Sequence, residues 1–103
     1  AGRKKDLIIR AGENISPLVI ENVLMNHPAV KEVAAVGVTD KRTGECVKVC
    51  IALRHDTKTT ESELKSYCRK NLPAFMVPDY FQFMEALPKN ATGKILKTEL
   101  KKE

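Results

Sequence analysis

Tryptophan is absent, and aromatic residues make up only 5% of the 103-residue chain. The chain shows no RNP-like aromatic pattern, no zinc-finger spacing and no pair of recognition helices, so charge alone would argue for nucleic acid. Cysteine is scarce and odd in number: Cys46, Cys50 and Cys68, with no Cys-x-x-Cys. That argues against a disulfide framework and fits a reducing cytosol, giving a cytoplasmic expectation. The two histidines, His27 and His55, do not cluster with cysteines or carboxylates at ligand spacing, so no metal site is expected. No apolar run approaches the ~20 residues of a membrane span. Residues Ala1-Gly2-Arg3-Lys4-Lys5-Asp6 lack the apolar core of a signal peptide. A P-loop is also missing, because the only Gly-Lys step has neither the first glycine nor the strand before it.

What remains is a globular composition, with 43% hydrophobic and 30% charged residues. The length suits one domain with a modest core, too small for a large nucleotide-binding sheet plus a substrate pocket. Net charge is +5, from 18 basic and 13 acidic residues. The basic groups concentrate at Arg3-Lys4-Lys5 and at Lys94, Lys97, Lys101 and Lys102. They read either as a solvated surface with a lysine-rich tail or as a positive face turned towards phosphates.

Periodicity orders the chain. Leu7-Ile8-Ile9 predicts a strand entering a tight turn at Ala11-Gly12-Glu13-Asn14 and returning through Ile15. Ser16-Pro17 starts a helix, with a hydroxyl cap and proline at the first position, and Pro28 stops it. Val30 to Val38 predicts a strand, and Thr39 to Glu45 a turn. Val47, Val49, Ile51 and Leu53 alternate with less apolar neighbours, the clearest period-2 signal, which leaves Cys46 and Cys50 to pack on the other face. Thr60-Glu61-Ser62-Glu63 forms a capping box for a helix burying Leu64, Tyr67, Cys68 and Leu72, which Pro73 ends. Tyr80 to Met84 predicts a further strand. After an irregular stretch, Leu96 and Leu100 mark a short amphipathic helix. The expected fold is α+β: a small, mostly antiparallel sheet of about three main strands plus an N-terminal hairpin, with helices on one face.

Two stretches could carry chemistry. In Pro88-Lys89-Asn90-Ala91-Thr92-Gly93-Lys94-Ile95, a glycine permits close backbone approach, and Lys94 is demanded by no helical or strand pattern. A lysine there could reach a carboxylate or phosphate from outside a pocket, although an ordinary exposed lysine is the simpler reading of the residues alone. The second stretch, Gly2 to Pro17, places a charged segment before a strand, as a linker meeting its domain would. Taken by itself, Gly12 is a turn glycine.

Together these stretches resemble the adenylate-forming family, which includes acyl-CoA synthetases, luciferases and peptide-synthetase adenylation domains. The resemblance runs through Gly2-Arg3-x-x-Asp6, Gly12-Glu13-Asn14-Ile15-x-Pro17 and Ile20-Glu21-Asn22-Val23-Leu24. It continues through His27-Pro28-Ala29-Val30, Gly44-Glu45, Val77-Pro78 and Ala91-Thr92-Gly93-Lys94-Ile95-Leu96, and so covers essentially the whole chain. It implies a single C-terminal lid domain over 1–103, with 1–6 as hinge segment and the large N-terminal domain absent from the sequence.

The resemblance also implies a two-step ligase reaction. A carboxylic acid attacks the α-phosphate of ATP, and CoA thiol then displaces AMP from the acyl-adenylate. Lys94 would be the adenylation lysine, Lys5 the hinge, and Arg3 a residue facing the nucleotide. Gly12 would line the pantetheine tunnel, bordered by Ala11 and Glu13. ATP and CoA would be substrates, Mg2+ would accompany ATP in the full-length enzyme, and this domain alone would hold neither cofactor nor metal. Its partners would be its own N-terminal domain, the acid, ATP and CoA, with no nucleic acid and no transmembrane segment.

Thr43 stands where many relatives carry an aromatic residue. Asn14 stands where some acetyl- and propionyl-type relatives have arginine, which leans towards fatty-acyl or aryl CoA ligases. Three rivals remain: an adenylation domain that loads a carrier protein, a basic module binding RNA, and a purely structural interaction domain.

Overall fold

A computed structural model of the chain describes residues 7–101. Strand β1 (Ile8–Arg10) and strand β2 (Glu13–Ile15) form a hairpin that leads into helix α1 (Pro17–Met25). Strands β3 (Val30–Asp40) and β4 (Gly44–Leu53) follow as a long antiparallel pair, in register from Glu32↔Ala52 to Asp40↔Gly44, with a bulge between Val30 and Glu32. Helix α2 (Glu61–Asn71) and a short 3-10 turn (Ala74–Met76) return the chain to strand β5 (Tyr80–Phe83), and helix α3 (Lys97–Leu100) closes the described segment.

Strand β4 is the centre of the sheet. Strand β3 occupies one of its edges along its whole length. The other edge is shared end to end: β1 pairs at Gly44, and β5 pairs from Lys48 to Ile51. Strand β5 runs parallel to β4, unlike every other pair in the sheet. The run Tyr80-Phe81-Gln82-Phe83-Met84 predicts a strand but says nothing of its direction. The direction is set by α2, which carries the chain back across the sheet before β5 begins.

Each face of the sheet has its own core. On one, Val47, Val49 and Ile51 pack with Ile8, Ile15, Ile20, Leu24, Leu64 and Cys68, beneath α1 and α2. On the other, Ala34, Val36, Cys46 and Cys50 pack with Leu87 and Leu100. Helix α3 therefore lies opposite α1 and α2, and the expectation of helices on a single face is corrected. The run Val33 to Val38 explains why: strand β3 is buried on both sides and so reads as a continuous apolar segment rather than an alternating one.

Two helix starts differ from expectation. Ser16 occupies the N-cap position of α1 but makes no side-chain cap bond, so proline at the first turn is the operative start signal. At α2 the Thr60 hydroxyl accepts from Glu63 N at 3.1 Å, while Glu63 Oε2 takes its bond from the Thr59 hydroxyl at 3.1 Å. Only the threonine half of the capping box matches the expectation. Among the described residues no helix is long and apolar enough to cross a membrane.

Candidate functional site

The hairpin turn is Ala11-Gly12, between the paired Arg10 and Glu13. Both residues have positive φ, 50° at Ala11 and 82° at Gly12, as a two-residue primed turn requires. The tip is exposed, while its roots Ile8 and Ile15 are fully buried. Three contacts fix its attitude. Ala11 N donates to Thr43 O at 2.8 Å, Ile9 N donates to Glu45 Oε1 at 2.9 Å, and the Arg10 guanidinium grips Asp79. Among the described residues nothing lies within 4 Å of where a Cβ on Gly12 would sit. The demand for glycine from within this chain is thus conformational rather than steric.

Asp79 is the junction between the hairpin and the sheet. Its Oδ2 accepts from Arg10 Nε at 3.0 Å and from Val47 N at 2.9 Å. Its own N–H donates to Val47 O at 2.8 Å. Beside this junction lies a groove of about 400 Å³ lined by Arg10, Lys65, Arg69, Val77, Pro78 and Asp79. Asp79 neutralises Arg10, whereas Lys65 and Arg69, one turn apart on α2, give the groove a positive wall.

Lys94 lies on a second tight turn. Lys89 and Ile95 form an antiparallel bridge, Asn90 N donates to Lys94 O at 2.9 Å, and Gly93 N donates to Asn90 O at 3.0 Å. Gly93 has a φ of 87°, which closes the turn with a left-handed residue. The base of the turn is pinned on both sides. Glu32 holds the Lys89 ammonium and accepts from Leu87 N at 3.3 Å. The Lys89 hydrogen bond, chiefly, keeps the Glu32 carboxyl below its ordinary range, against the opposing effect of burial. Beyond the turn, Lys97 pairs with Glu21 at 2.8 Å, Lys48 Nζ donates to Leu100 O at 3.0 Å, and Leu100 is buried. Lys94 itself is exposed, and no carboxylate pairs with its ammonium among the described residues.

The two exposed elements stand at opposite ends of the molecule's longest ladder. Glu32, which anchors the Lys94 turn, pairs near the start of β3 with Ala52; Thr43, which anchors the hairpin tip, lies just past the Asp40↔Gly44 end. At ~3.3 Å per residue the ladder between them spans about 25 Å. The two exposed elements are thus anchored at well-separated points of the sheet.

Gly12, Ala11 and Glu13 thus share one tip and Lys94 occupies another. Arg3 and Lys5 lie outside the described residues. Sequence reasoning missed Arg10, Asp79 and the α2 cations, because a pair 69 residues apart leaves no local signal. It quoted Asn90 without giving it a role. No group of three or more His, Cys, Asp or Glu able to hold a metal ion occurs among the described residues.

Residues 19–94 match the AMP-binding enzyme C-terminal domain. The chain is 43% identical over 102 residues to the mitochondrial medium-chain acyl-CoA ligase of Rattus norvegicus, covering 99% of this chain and 17% of that one. It is 46% identical over 101 residues to a long-chain-fatty-acid–CoA ligase of Escherichia coli, covering 98% of this chain and 18% of the relative. A solved fatty acyl CoA synthetase of Mycobacterium tuberculosis superposes with a TM-score of 0.90 at 39% identity, covering 96% of this chain and 20% of that one. The o-succinylbenzoate CoA synthetase of Bacillus subtilis, solved with its acyl-adenylate intermediate, gives 0.91 at 37%, covering 99% and 21%. The chain spans less than one fifth of the curated relatives' length. It belongs to the AMP-binding enzyme C-terminal domain family, whose relatives here are acyl-CoA ligases.

Proposed function

We propose that this chain is the mobile C-terminal lid of an AMP-forming acyl-CoA synthetase that joins a medium- or long-chain fatty acid to CoA at the expense of ATP. The observation that carries the reading is the exposed ammonium of Lys94, without a carboxylate partner among the described residues, on a turn whose anchor Glu32 lies about 25 Å along the sheet from the anchor of a second exposed tip. In the first step Lys94 bridges the substrate carboxylate and the α-phosphate oxygens, stabilising charge as it develops in transfer. It need not act as a base, because a fatty carboxylate is already ionised at neutral pH. Arg3 faces the nucleotide in the same arrangement.

In the second step the lid turns about Lys5 and presents the hairpin, whose residues Ala11, Gly12 and Glu13 border the path of the pantetheine arm. The positive wall of Lys65 and Arg69 beside that hairpin offers the phosphates of CoA a mooring. Mg2+ is expected to accompany ATP in the full-length enzyme. Three buried cysteines without a disulfide suit a reducing compartment.

The reading is tested by assaying the N-terminal domain with and without this chain, supplying fatty acid, ATP and CoA and following AMP release. Acyl-CoA should form only when both parts are present. Full turnover by the N-terminal domain alone would remove the lid from the reaction, and turnover with a carrier protein but not with CoA would move it to the carrier-loading class.

A further inference from the structure

Both main-chain polar groups of Lys94 end on one residue. Asn90 N donates to Lys94 O at 2.9 Å, and Lys94 N donates to Asn90 Oδ1 at 3.0 Å. The same side-chain oxygen also accepts from Thr92 N at 3.0 Å and from the Thr92 hydroxyl at 2.8 Å. Three donors converge on an acceptor with two lone pairs, which saturates it. Packing contributes little here, since Ala91, Thr92, Gly93 and Lys94 are all exposed. The ion pairs at Glu32 and Glu21 hold the flanks of the turn, through Lys89 and Lys97, and do not reach its tip. The direction in which the Lys94 stem leaves the backbone is therefore set by Asn90.

We propose that Asn90 is a positioning residue for Lys94: its carboxamide oxygen locks the turn so that the ammonium is presented in one direction before substrate arrives. This rests on the reading of Lys94 given above. A lysine stem has four rotatable bonds, and a fixed root removes the backbone share of the disorder that would otherwise be lost on reaching the transition state. Without the acceptor, the Thr92 and Lys94 amides turn to water, several turn conformations compete, and the adenylation-competent fraction falls. Asn90 touches neither substrate nor nucleotide in this scheme and acts only through Lys94.

The test uses Asn90→Leu, which is close in size but cannot accept, and Asn90→Asp, which can, both in the full-length enzyme. Adenylation is read by ATP–pyrophosphate exchange, and the second step by CoA transfer to pre-made acyl-adenylate. Asn90→Leu should lower kcat for adenylation by about tenfold while leaving KM for ATP within about twofold. The second step should be unchanged, and Asn90→Asp should restore most of the loss. Amide exchange should quicken at Thr92 and Lys94 but not at Val47, Val49 or Ile51, which shows that the fold survives. Should the leucine variant fail to fold, Asn90→Ala carries the same comparison. Wild-type adenylation by Asn90→Leu, or an equal loss in Asn90→Asp, would overturn the positioning role. If Lys94→Ala remains crippled alongside such a result, the function of Lys94 stands without Asn90. If Lys94→Ala also adenylates normally, the reading of Lys94 fails and the positioning role falls with it.

Discussion

Arg10 and Asp79, 69 residues apart, meet in a two-point guanidinium–carboxylate contact with both distances at 3.0 Å. The pair sits where two strands share one edge of β4, and Asp79 also accepts from Val47 N at 2.9 Å. It ties the hairpin to the start of β5. Removing the carboxylate leaves a cation and a backbone N–H unpaired at once. Asp79→Ala should therefore destabilise the domain by about 1–3 kcal/mol, read as a lower urea midpoint. Asp79→Asn keeps an acceptor for Val47 N and should lose less. Equal midpoints for Asp79→Ala and the wild type would show that the junction holds without the carboxylate.

Gly12 separates conformational from steric demand. Its φ of 82° disfavours leucine, while asparagine tolerates that region. Among the described residues no atom lies within 4 Å of a Cβ added there. Gly12→Asn should thus keep the domain folded with full adenylation, yet slow CoA transfer to pre-made adenylate, because the side chain enters the pantetheine path. Gly12→Leu should show the same selectivity plus a loss of stability of about 1–2 kcal/mol. An unaltered CoA dependence in Gly12→Asn would take the hairpin out of the tunnel.

The buried Cys68 thiol gives a pH signature. Burial pushes its pKa up from an ordinary value near 9 to about 11, since the thiolate would lose hydration without gaining a partner. The folded state thus holds the proton more tightly than the unfolded chain. Its contribution is fully present below about pH 9 and is lost as pH rises from there through about 11. Denaturation midpoints of the wild type should fall over that window, and Cys68→Ala should fall less steeply. A residual slope is expected, because burial raises Cys50 as well. Parallel slopes in the two proteins would contradict the shift at Cys68.

Much of this architecture was legible in the chain because local signals agree. The alternation from Val47 to Leu53, the Thr60 cap and the proline stops mark elements without any tertiary information. The Ala11-Gly12 turn was legible from glycine placement. Three features were not. The parallel direction of β5 depends on where α2 delivers the chain, which a local run cannot encode. The position of α3 on the second face follows from Leu87 and Leu100 meeting Cys46 and Cys50, contacts between residues far apart in sequence. The convergence on Asn90 Oδ1 is local, and an Asn-x-Thr-Gly step is a known turn pattern, but pattern alone does not say that the lysine's own amide completes it.

The central claim is that the Lys94 ammonium serves adenylation and not thioester formation. Lys94→Ala in the full-length enzyme, assayed separately in the two half-reactions, tests it most directly. Adenylation should fall by about 100–1,000-fold, the cost of removing one fixed charge-stabilising group, while CoA transfer to pre-made acyl-adenylate continues near the wild-type rate. Equal losses in both half-reactions, or adenylation at the wild-type rate, would contradict it.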